Sequence, residues 1–313
     1  MLDFPGPLAR WELIVPDTLG FRKRIGIVVP STNTTVQPEC EMLRPRGVTN
    51  HTGRSTIKER PLDSEQAFYE HMQMMREGIG VAIDQIMTAA LDHLIVGIAL
   101  ETFWGGVAAA DKMQNELAQR AGVGISMGST AACAALKAFG AKRIAVLTPH
   151  QPRGDEIVRA YLTEAGLDIV RLKGLKCASP RVIAQVPTEE IRHSLRELDG
   201  PDIDALLQVG TALPAVAVAA DAERWLGKPV LAINAVTYWD ALRRCGIEDR
   251  VYGAAASSRS SKSELPRQHH GRPQLPTGIE MLWLVLVRIG EILWLDAGLM
   301  VMVMRGRPRQ QRW

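Results

Sequence analysis

Cysteine is scarce in this chain: only four of its 313 residues are cysteines. They form no C-x-x-C pair and no metal-ligand spacing with histidine, so the sequence predicts neither a metal site nor another cofactor. Four scattered thiols suit a reducing compartment, and we expect a cytoplasmic protein. The four are Cys40, Cys133, Cys177 and Cys245.

The chain also lacks an excess of charge of one sign. Its formal net charge is only +3, and lysine and arginine are scattered among acidic residues before the tail. This pattern argues against nucleic acid as a partner. With 46% hydrophobic and 23% charged residues, the composition suits two globular domains with full cores and excludes a disordered protein.

A long uninterrupted apolar run is missing as well. The first 21 residues contain four charged side chains among prolines, which argues against a signal peptide. Beyond Glu280 near its start, the apolar stretch 279–304 is interrupted by three charges, each of which costs about 2.5–3.5 kcal/mol near the centre of a membrane helix. The sequence therefore argues against secretion and against a membrane span. The interrupting residues are Arg288, Glu291 and Asp296.

What the chain does contain is a duplicated pattern of short apolar runs that end in polar loops. The first run, Ile25–Pro30, is followed by the loop S-T-N-T-T. A run of this length bounded by breakers is typical of a buried parallel strand. Three segments of the first half match three of the second in the same order: Arg24–Thr35 matches Arg143–His150, His93–Leu100 matches Ala205–Ala212, and Val123–Met127 matches Pro229–Asn234.

Helical patterns alternate with these strands. Such alternation predicts parallel strands joined by right-handed crossovers, with helices on both faces of each sheet. We therefore expect an α/β fold of two pseudo-symmetric, doubly wound parallel-sheet lobes with the ligand cleft between them. The predicted helices span Ser64–Met87, Trp104–Arg120, Ser129–Phe139, Asp155–Glu164, Thr188–Leu198, Ala215–Trp225 and Val236–Arg244.

The same patterns divide the chain into four parts. We expect an N-terminal arm over 1–21, a first lobe over 22–140, a second lobe over 141–253 and an atypical tail over 254–313. The last helix of the second lobe could pack on the first.

Three local signals place helix ends. Ser129 can cap the helix that follows Met127, and Gly140 stands where that helix should stop. Glu189 and Glu190 fall in the first turn of another helix, where the helix dipole favours acidic residues.

Ligands of open α/β sheets bind outside the carboxyl ends of the strands. Two such edges that face each other would enclose one cleft. In this chain the strand ends carry the loops Ser31–Thr35, Gly97–Glu101, His150–Gly154 and Gly210–Leu213.

Ile27–Thr35 and Leu147–Pro149, taken with the repeat of two lobes, resemble the aspartate/glutamate racemase superfamily. The resemblance is strongest to the branch of maleate cis-trans isomerases and arylmalonate decarboxylases, and it covers roughly Arg22–Gly253. It implies that the two lobes clamp a small carboxylate and that a cysteine from each lobe carries out the chemistry.

Neither cysteine position of that branch holds a thiol here. Gly97-Ile98 stands where the first is expected, and Val209 stands where the second is expected. The decarboxylase pattern of hydroxyls in a G-T-S loop is absent too, because Ile98 and Ala99 replace them; only their backbone N–H groups can donate. Chemistry through the family's cysteine pair is therefore not supported.

Polar groups at the strand ends remain as candidates for binding a carboxylate. Asn33 matches the loop asparagine of the maleate isomerases, and its amide can donate to a carboxylate oxygen. The alternative is that its side chain only closes its own turn. Helix amino termini bind anions readily, which favours Gly210 and Thr211. The predicted substrate-binding residues are Ser31, Asn33, Ala99, Gly210 and Thr211.

Two residues are candidates for acid/base catalysis. His150 stands where the family usually has a tyrosine, and it can serve as an acid/base or as a carboxylate ligand; the alternative is a solvent-facing loop histidine. Glu101 lies just past the missing first cysteine and can act as a base whose pKa is raised beside an apolar wall. Its alternative role is to cap the helix that begins near Gly105.

Three functions fit these observations. The first is an enzyme of the isomerase or decarboxylase kind that acts on a small (di)carboxylate through an enolate-type intermediate. The second is a carboxylate-binding protein on the same scaffold that has lost catalysis. The third is a ligand-gated interaction protein that uses the tail. A homo-oligomer is compatible with each of them.

The tail contradicts the rest of the chain in composition, since it is linker-like and then apolar. The family resemblance predicts a closing G-x-G-R-L-L pattern after Gly253, and loss of one G from codons for Gly-Arg-Leu-Leu-Ala yields the Ala-Ala-Ser-Ser-Arg found at Ala255–Arg259. We therefore interpret the residues from about Ala255 onward as the product of a shifted reading frame or as a fused segment.

Overall fold

Two four-stranded parallel sheets, one in each half of the chain, form the framework of the fold. The computed structural model describes residues 17–57 and 65–250. The tail, and with it the reading-frame interpretation, lies outside the described residues.

The two sheets have the same topology. The strand order is β2-β1-β3-β4 in the first and β6-β5-β7-β8 in the second, and all neighbouring strands run parallel. The predicted α/β fold and its internal repeat are therefore confirmed. The strands are β1 Lys23–Pro30, β2 Val48–Ser55, β3 His93–Val96, β4 Gly124–Met127, β5 Arg143–Thr148, β6 Asp168–Gly174, β7 Ala205–Gln208 and β8 Val230–Ala232.

Helices connect the strands and cover the sheets. They are α1 Val36–Leu43, α2 Glu65–Met87, α3 Leu100–Phe103, α4 Gly106–Ala121, α5 Gly128–Ala138, α6 Pro152–Glu164, α7 Pro180–Ile183, α8 Thr188–Leu198, α9 Val216–Leu226 and α10 Ile233–Arg244. All seven predicted helices are present, while α1 and the short helices α3 and α7 were not predicted. Because helices cover both faces, the central strand β1 is buried continuously from Ile25 to Val29.

Two central strands end earlier than their apolar sequences predict. β3 stops at Val96 rather than Leu100, and β7 stops at Gln208 rather than Ala212. At Gly97 a Cβ would lie 2.9 Å from side-chain atoms of both Val29 and Val36, so the chain passes too close to β1 and α1 for any side chain. The residues after Val96 and Gln208 are apolar because the loops that they form are buried, and not because they pair as strands.

The predicted helix ends are partly right. Gly140 follows α5 with a φ of 67°, and α8 begins at Thr188 with Glu189 and Glu190 in its first turn, as expected. The capping role of Ser129 is wrong, because β4 passes directly into α5 at Gly128 and leaves Ser129 buried inside the first turn.

The two halves share their hydrophobic cores. One cluster of buried residues contains both Leu94 of β3 and Ile144 of β5, and a second contains both Ile95 and Leu147 of the same strands. The last helix, α10, contacts α1, α5, β3 and β4 of the first half. The division into lobes at residue 140 stays a prediction. In the part of the chain that the structure describes, no helix combines the length and apolarity that a membrane crossing requires.

Candidate functional site

The loops that follow β1 and β7 meet at the carboxyl ends of the two sheets. The side-chain amide of Asn33 donates to the hydroxyl of Thr211, with 3.4 Å between Nδ2 and Oγ1. Both residues are buried. The structure therefore brings together two of the predicted binding residues, one from each half.

Asn33 uses its two side-chain polar atoms for different purposes. Its Oδ1 accepts hydrogen bonds of 2.9 Å from the backbone N–H groups of Thr35 and Val36 at the start of α1. The turn-closing alternative thus accounts for the oxygen. The amide nitrogen points across to the other half, where it remains a candidate donor for a ligand.

A buried carboxylate strengthens the same junction. Glu39 on α1 accepts the backbone N–H of Val216 (2.9 Å) and the side-chain amide of Asn234 (2.6 Å), both in the second half. Burial raises the pKa of Glu39 to about 7, although these hydrogen bonds oppose the shift. Glu39 and Asn234 are not among the residues predicted from the sequence; the available signal was an acidic residue shortly after the S-T-N-T-T loop.

His150 lies at the carboxyl end of β5 with its ring directed into the protein. Its Nε2 atom is buried and has no hydrogen-bond partner among the described residues. A Cβ at Gly154 would lie 2.7 Å from His150 Cβ and 3.6 Å from Leu100 Cδ1, so the histidine sits close to the loop that follows β3. Burial lowers its pKa to about 4. The solvent-facing alternative does not hold for this imidazole.

Glu101 is buried in α3, the short helix that follows the β3 loop. Burial raises its pKa to about 7, and the positive charge of Arg76 opposes this shift only in part. The proposed capping of the next helix is wrong: the N-cap of α4 is Gly105 without a side-chain hydrogen bond. Instead, Glu164 of α6 accepts the N–H of Val107 at 3.1 Å.

Three other predicted residues occupy different surroundings. Ser31 is exposed, and its hydroxyl accepts the N–H of Ile57 at 2.9 Å, which places it on the β2 side, apart from the Asn33–Thr211 contact. Ala99 is buried in the turn before α3. Gly210 has a φ of 122°, and a Cβ there would lie 2.4 Å from Pro149, so only glycine fits this approach between the β5 and β7 loops.

The four cysteines occupy surroundings that disfavour the reactive thiolate. Cys40 is buried in α1, and burial raises its pKa well above the usual value. Burial raises the pKa of Cys133 to about 11. The pKa values of Cys177 and Cys245 are also raised by burial. Such thiols are poor nucleophiles.

Two further features bear on ligands. A cavity of about 430 Å³ lies on the α1 side of the junction, and among the residues that line it are Thr34, Thr35, Glu39, Arg192 and Asp221. None of the predicted site residues lines it. Within 17–57 and 65–250, no group of three or more histidine, cysteine or acidic side chains could hold a metal ion.

Two parallel sheets of identical topology, with the loops of their carboxyl ends in contact, define an α/β protein of the racemase-like fold. A family model described as arylmalonate decarboxylase matches residues 25–257. The chain belongs to this family, and the predicted branch of the superfamily is confirmed.

The relatives are enzymes. The chain is 26% identical to the maleate isomerase of Nocardia farcinica, over 74% of this chain and 94% of the relative. It is 24% identical to the arylmalonate decarboxylase of Bordetella bronchiseptica, over 57% of this chain and 82% of the relative. The Nocardia isomerase, solved as a mutant with a covalently bound succinylcysteine intermediate, superposes with a TM-score of 0.69 at 25% identity and covers 76% of this chain and 98% of its own.

Proposed function

We propose that the protein is an enzyme of the maleate isomerase and arylmalonate decarboxylase kind that acts on a small carboxylate through an enolate-type intermediate, without the family's cysteine pair. Family membership and the activities of the relatives support the class of reaction. The observation that carries the proposal is the buried Nε2 of His150, which has no hydrogen-bond partner in the part of the chain that the structure describes.

Binding is assigned to the loops that follow β1, β3 and β7. The amide of Asn33 and the hydroxyl of Thr211 provide donors from both halves. Backbone N–H groups of Ala99 and Gly210 add donors at the ends of β3 and β7. Donors of this kind stabilise the charge of an enediolate more strongly in a site that excludes water than they would in solution.

Proton transfer is assigned to His150 or Glu101. The pKa of His150 is lowered to about 4, so its ring is neutral at pH 7 and can accept a proton from a carbon acid. The pKa of Glu101 is raised to about 7, so a large fraction of it is protonated near neutrality and can deliver a proton to an enolate carbon. In a decarboxylation, the C–C bond breaks, carbon dioxide leaves, and the electron pair passes to the remaining carboxyl group until this proton arrives.

A carboxylate-binding protein without catalysis is the second candidate. It is favoured by Gly97-Ile98 and Val209, which stand where the sequence resemblance places the family's cysteines, and by the raised pKa values of the four cysteines that the chain does have. A ligand-gated role for the tail concerns residues outside the described part of the chain.

The two candidates differ in turnover. The protein is incubated in deuterated water with maleate, with phenylmalonate and with amino acids, and the products are followed by proton NMR. The enzyme should form fumarate, α-deuterated phenylacetate or an α-deuterated amino acid. Thermal stabilisation by one of these ligands without any product would establish the binding protein instead. If the protein shows no turnover and no stabilisation with any of them, both candidate functions are contradicted.

The same assay tests His150. We expect His150→Gln to lower turnover at least about 100-fold, the usual contribution of a positioned acid/base. The matched control is His193→Gln, because His193 is an exposed residue of α8 that contacts Glu197. Equal turnover in the two variants would leave Glu101 as the acid/base candidate, to be tested as Glu101→Gln.

A further inference from the structure

Glu39 reaches from the first half of the fold into the loop of the second half that contains Thr211. Its side chain is 5% exposed. One carboxylate oxygen accepts the N–H of Val216 at the start of α9, and the other accepts the side-chain amide of Asn234 at the start of α10.

These bonds belong to a closed ring that includes the proposed carboxylate site. The amide nitrogen of Asn234 also donates to the carbonyl of Thr211 at 2.9 Å. The hydroxyl of Thr211 accepts a hydrogen bond from the side-chain amide of Asn33. The side-chain oxygen of Asn33 in turn accepts the N–H of Val36 in α1, the helix that contains Glu39. A movement of Glu39 therefore changes the spacing between Asn33 and Thr211.

The ring depends on the two acceptor oxygens of a carboxylate. The partners of Glu39 are N–H donors, since the backbone N–H of Ala215 adds to those of Val216 and Asn234, and no cation in the described ranges forms an ion pair with it. Arg192, which lines the adjacent cavity, is bonded to Glu189 and Asp221 instead. A glutamine can accept only one of the two hydrogen bonds, because its own NH₂ group would oppose one of these donors.

We propose that Glu39 is a positioning residue, which holds Thr211 through Asn234 at the distance from Asn33 that a bound carboxylate requires. This role rests on the proposed function, since it concerns the same site. Glu39 itself does not contact the ligand; it acts through the loop that it anchors.

The test compares Glu39→Gln with Glu41→Gln in the full-length, ¹⁵N-labelled protein. Glu41 lies on the same helix, is exposed and forms an ion pair with Arg44. Side-chain amide signals of Asn33 and Asn234 are recorded without ligand, and maleate and phenylmalonate are then titrated. Glu39→Gln should shift both signals and weaken binding roughly fivefold or more, which corresponds to the loss of about one hydrogen bond. Glu41→Gln should change neither.

A purely structural role would give a different result. Glu39→Gln would then lower the melting temperature while the Asn33 signal and the affinity stay at their wild-type values, which would overturn the positioning role alone. A wild-type protein that binds none of the carboxylates would overturn the proposed function and this role with it. If Glu39→Gln does not fold, Asn234→Ala interrupts the ring from the other side, and unchanged affinity in that variant would also overturn the proposal.

Discussion

Asn33 divides its side-chain hydrogen bonds between α1 and the second half of the fold. Its oxygen is committed to α1 and its amide nitrogen to the junction. We predict that Asn33→Ala weakens binding of small dicarboxylates by about 1–3 kcal/mol, the usual cost of leaving a charged partner without its hydrogen bond. Ligand-induced thermal stabilisation measures the effect.

Asn33→Asp is the matched variant, because it keeps the acceptor for Thr35 and Val36 but loses the amide donor. It should bind dicarboxylates as poorly as Asn33→Ala while α1 stays intact. Wild-type stabilisation by ligand in both variants would contradict a binding role for the amide.

The buried carboxyl groups Glu39 and Glu101 predict a pH dependence of stability. Both pKa values are raised from 4.5 to about 7 by burial, so between these values the folded state binds more protons than the unfolded state. The contribution of these two groups to the free energy of unfolding is therefore fully present below pH 4.5, and it is lost as the pH rises through 7. Urea unfolding from pH 5 to 8 measures this loss.

Glu39→Gln and Glu101→Gln should each flatten that dependence, whereas Glu41→Gln should leave it as in the wild type. His150 and His93 contribute with the opposite sign below pH 6.5, because burial lowers the pKa of both to about 4. If the free energy of unfolding changes equally with pH above 6.5 in the wild type and in both carboxyl variants, Glu39 and Glu101 are solvated and the prediction is wrong.

The cysteines allow a test of the reaction type. Because burial raises their pKa values, we predict that turnover persists when all four are replaced by alanine. The measurement is the product rate by proton NMR, with circular dichroism as the check on folding. Complete loss of turnover in a folded variant would show that one of these thiols takes part. The four are Cys40, Cys133, Cys177 and Cys245.

At the scale of elements, the conformation of the loop after β7 is fixed by one glycine that no other residue can replace without strain. Gly210 combines a positive φ with a close approach to Pro149. We predict that Gly210→Ala destabilises the fold by about 1–3 kcal/mol or more and displaces Thr211. Urea unfolding and carboxylate titration measure the two effects.

Gly227→Ala is the control for that substitution. Gly227 follows α9 with a φ of 69°, and a Cβ there would have no atom of the described residues within 4 Å. Gly227→Ala should lower the free energy of unfolding by only about 1 kcal/mol and leave ligand binding unchanged. Equal effects of the two substitutions would mean that the contact with Pro149 does not constrain the loop.

The sequence predicted elements well where a local pattern decides them. The apolar run Ile25–Pro30 and its repeats predicted the central strands, because burial of both faces requires continuous apolar residues. The ends of β3 and β7 were misplaced, since Gly97 and Gly210 stop the strands through close approaches to residues distant in sequence. No local signal encodes such an approach.

The same limit applies to the candidate site. Asn33 and Thr211 could be predicted from their positions at strand ends, but their hydrogen bond depends on how the halves pack. Glu39 was missed because its partners lie 177 and 195 positions away in the chain. The pKa values of Glu101 and His150 likewise depend on burial that tertiary packing creates.

At the scale of the whole molecule, the two halves are joined by polar as well as apolar contacts. Ser126 of β4 donates to Asp240 of α10 at 2.6 Å, and His93 contacts the same hydroxyl at 2.9 Å. The rings of Phe103 and Tyr161 meet edge to face at 5.0 Å. These contacts fix α10 and α6 against the first half, so the geometry of the proposed site at the strand ends depends on both halves at once.

We predict that the two-sheet body requires no residue after Gly253. All eight described strands and their helices lie before residue 251, and the ion pair of Arg22 with Asp249, at 2.6 Å, ties the last described residues to the start of β1. A chain that ends at Gly253 should therefore fold with the far-UV circular dichroism of the two-sheet body and with the carboxylate-induced stabilisation of the full chain. A truncated protein that is unfolded, or that no longer responds to carboxylates, would show that residues after Gly253 contribute to the fold or the site. An intact reading frame on resequencing the gene would then contradict the frameshift interpretation.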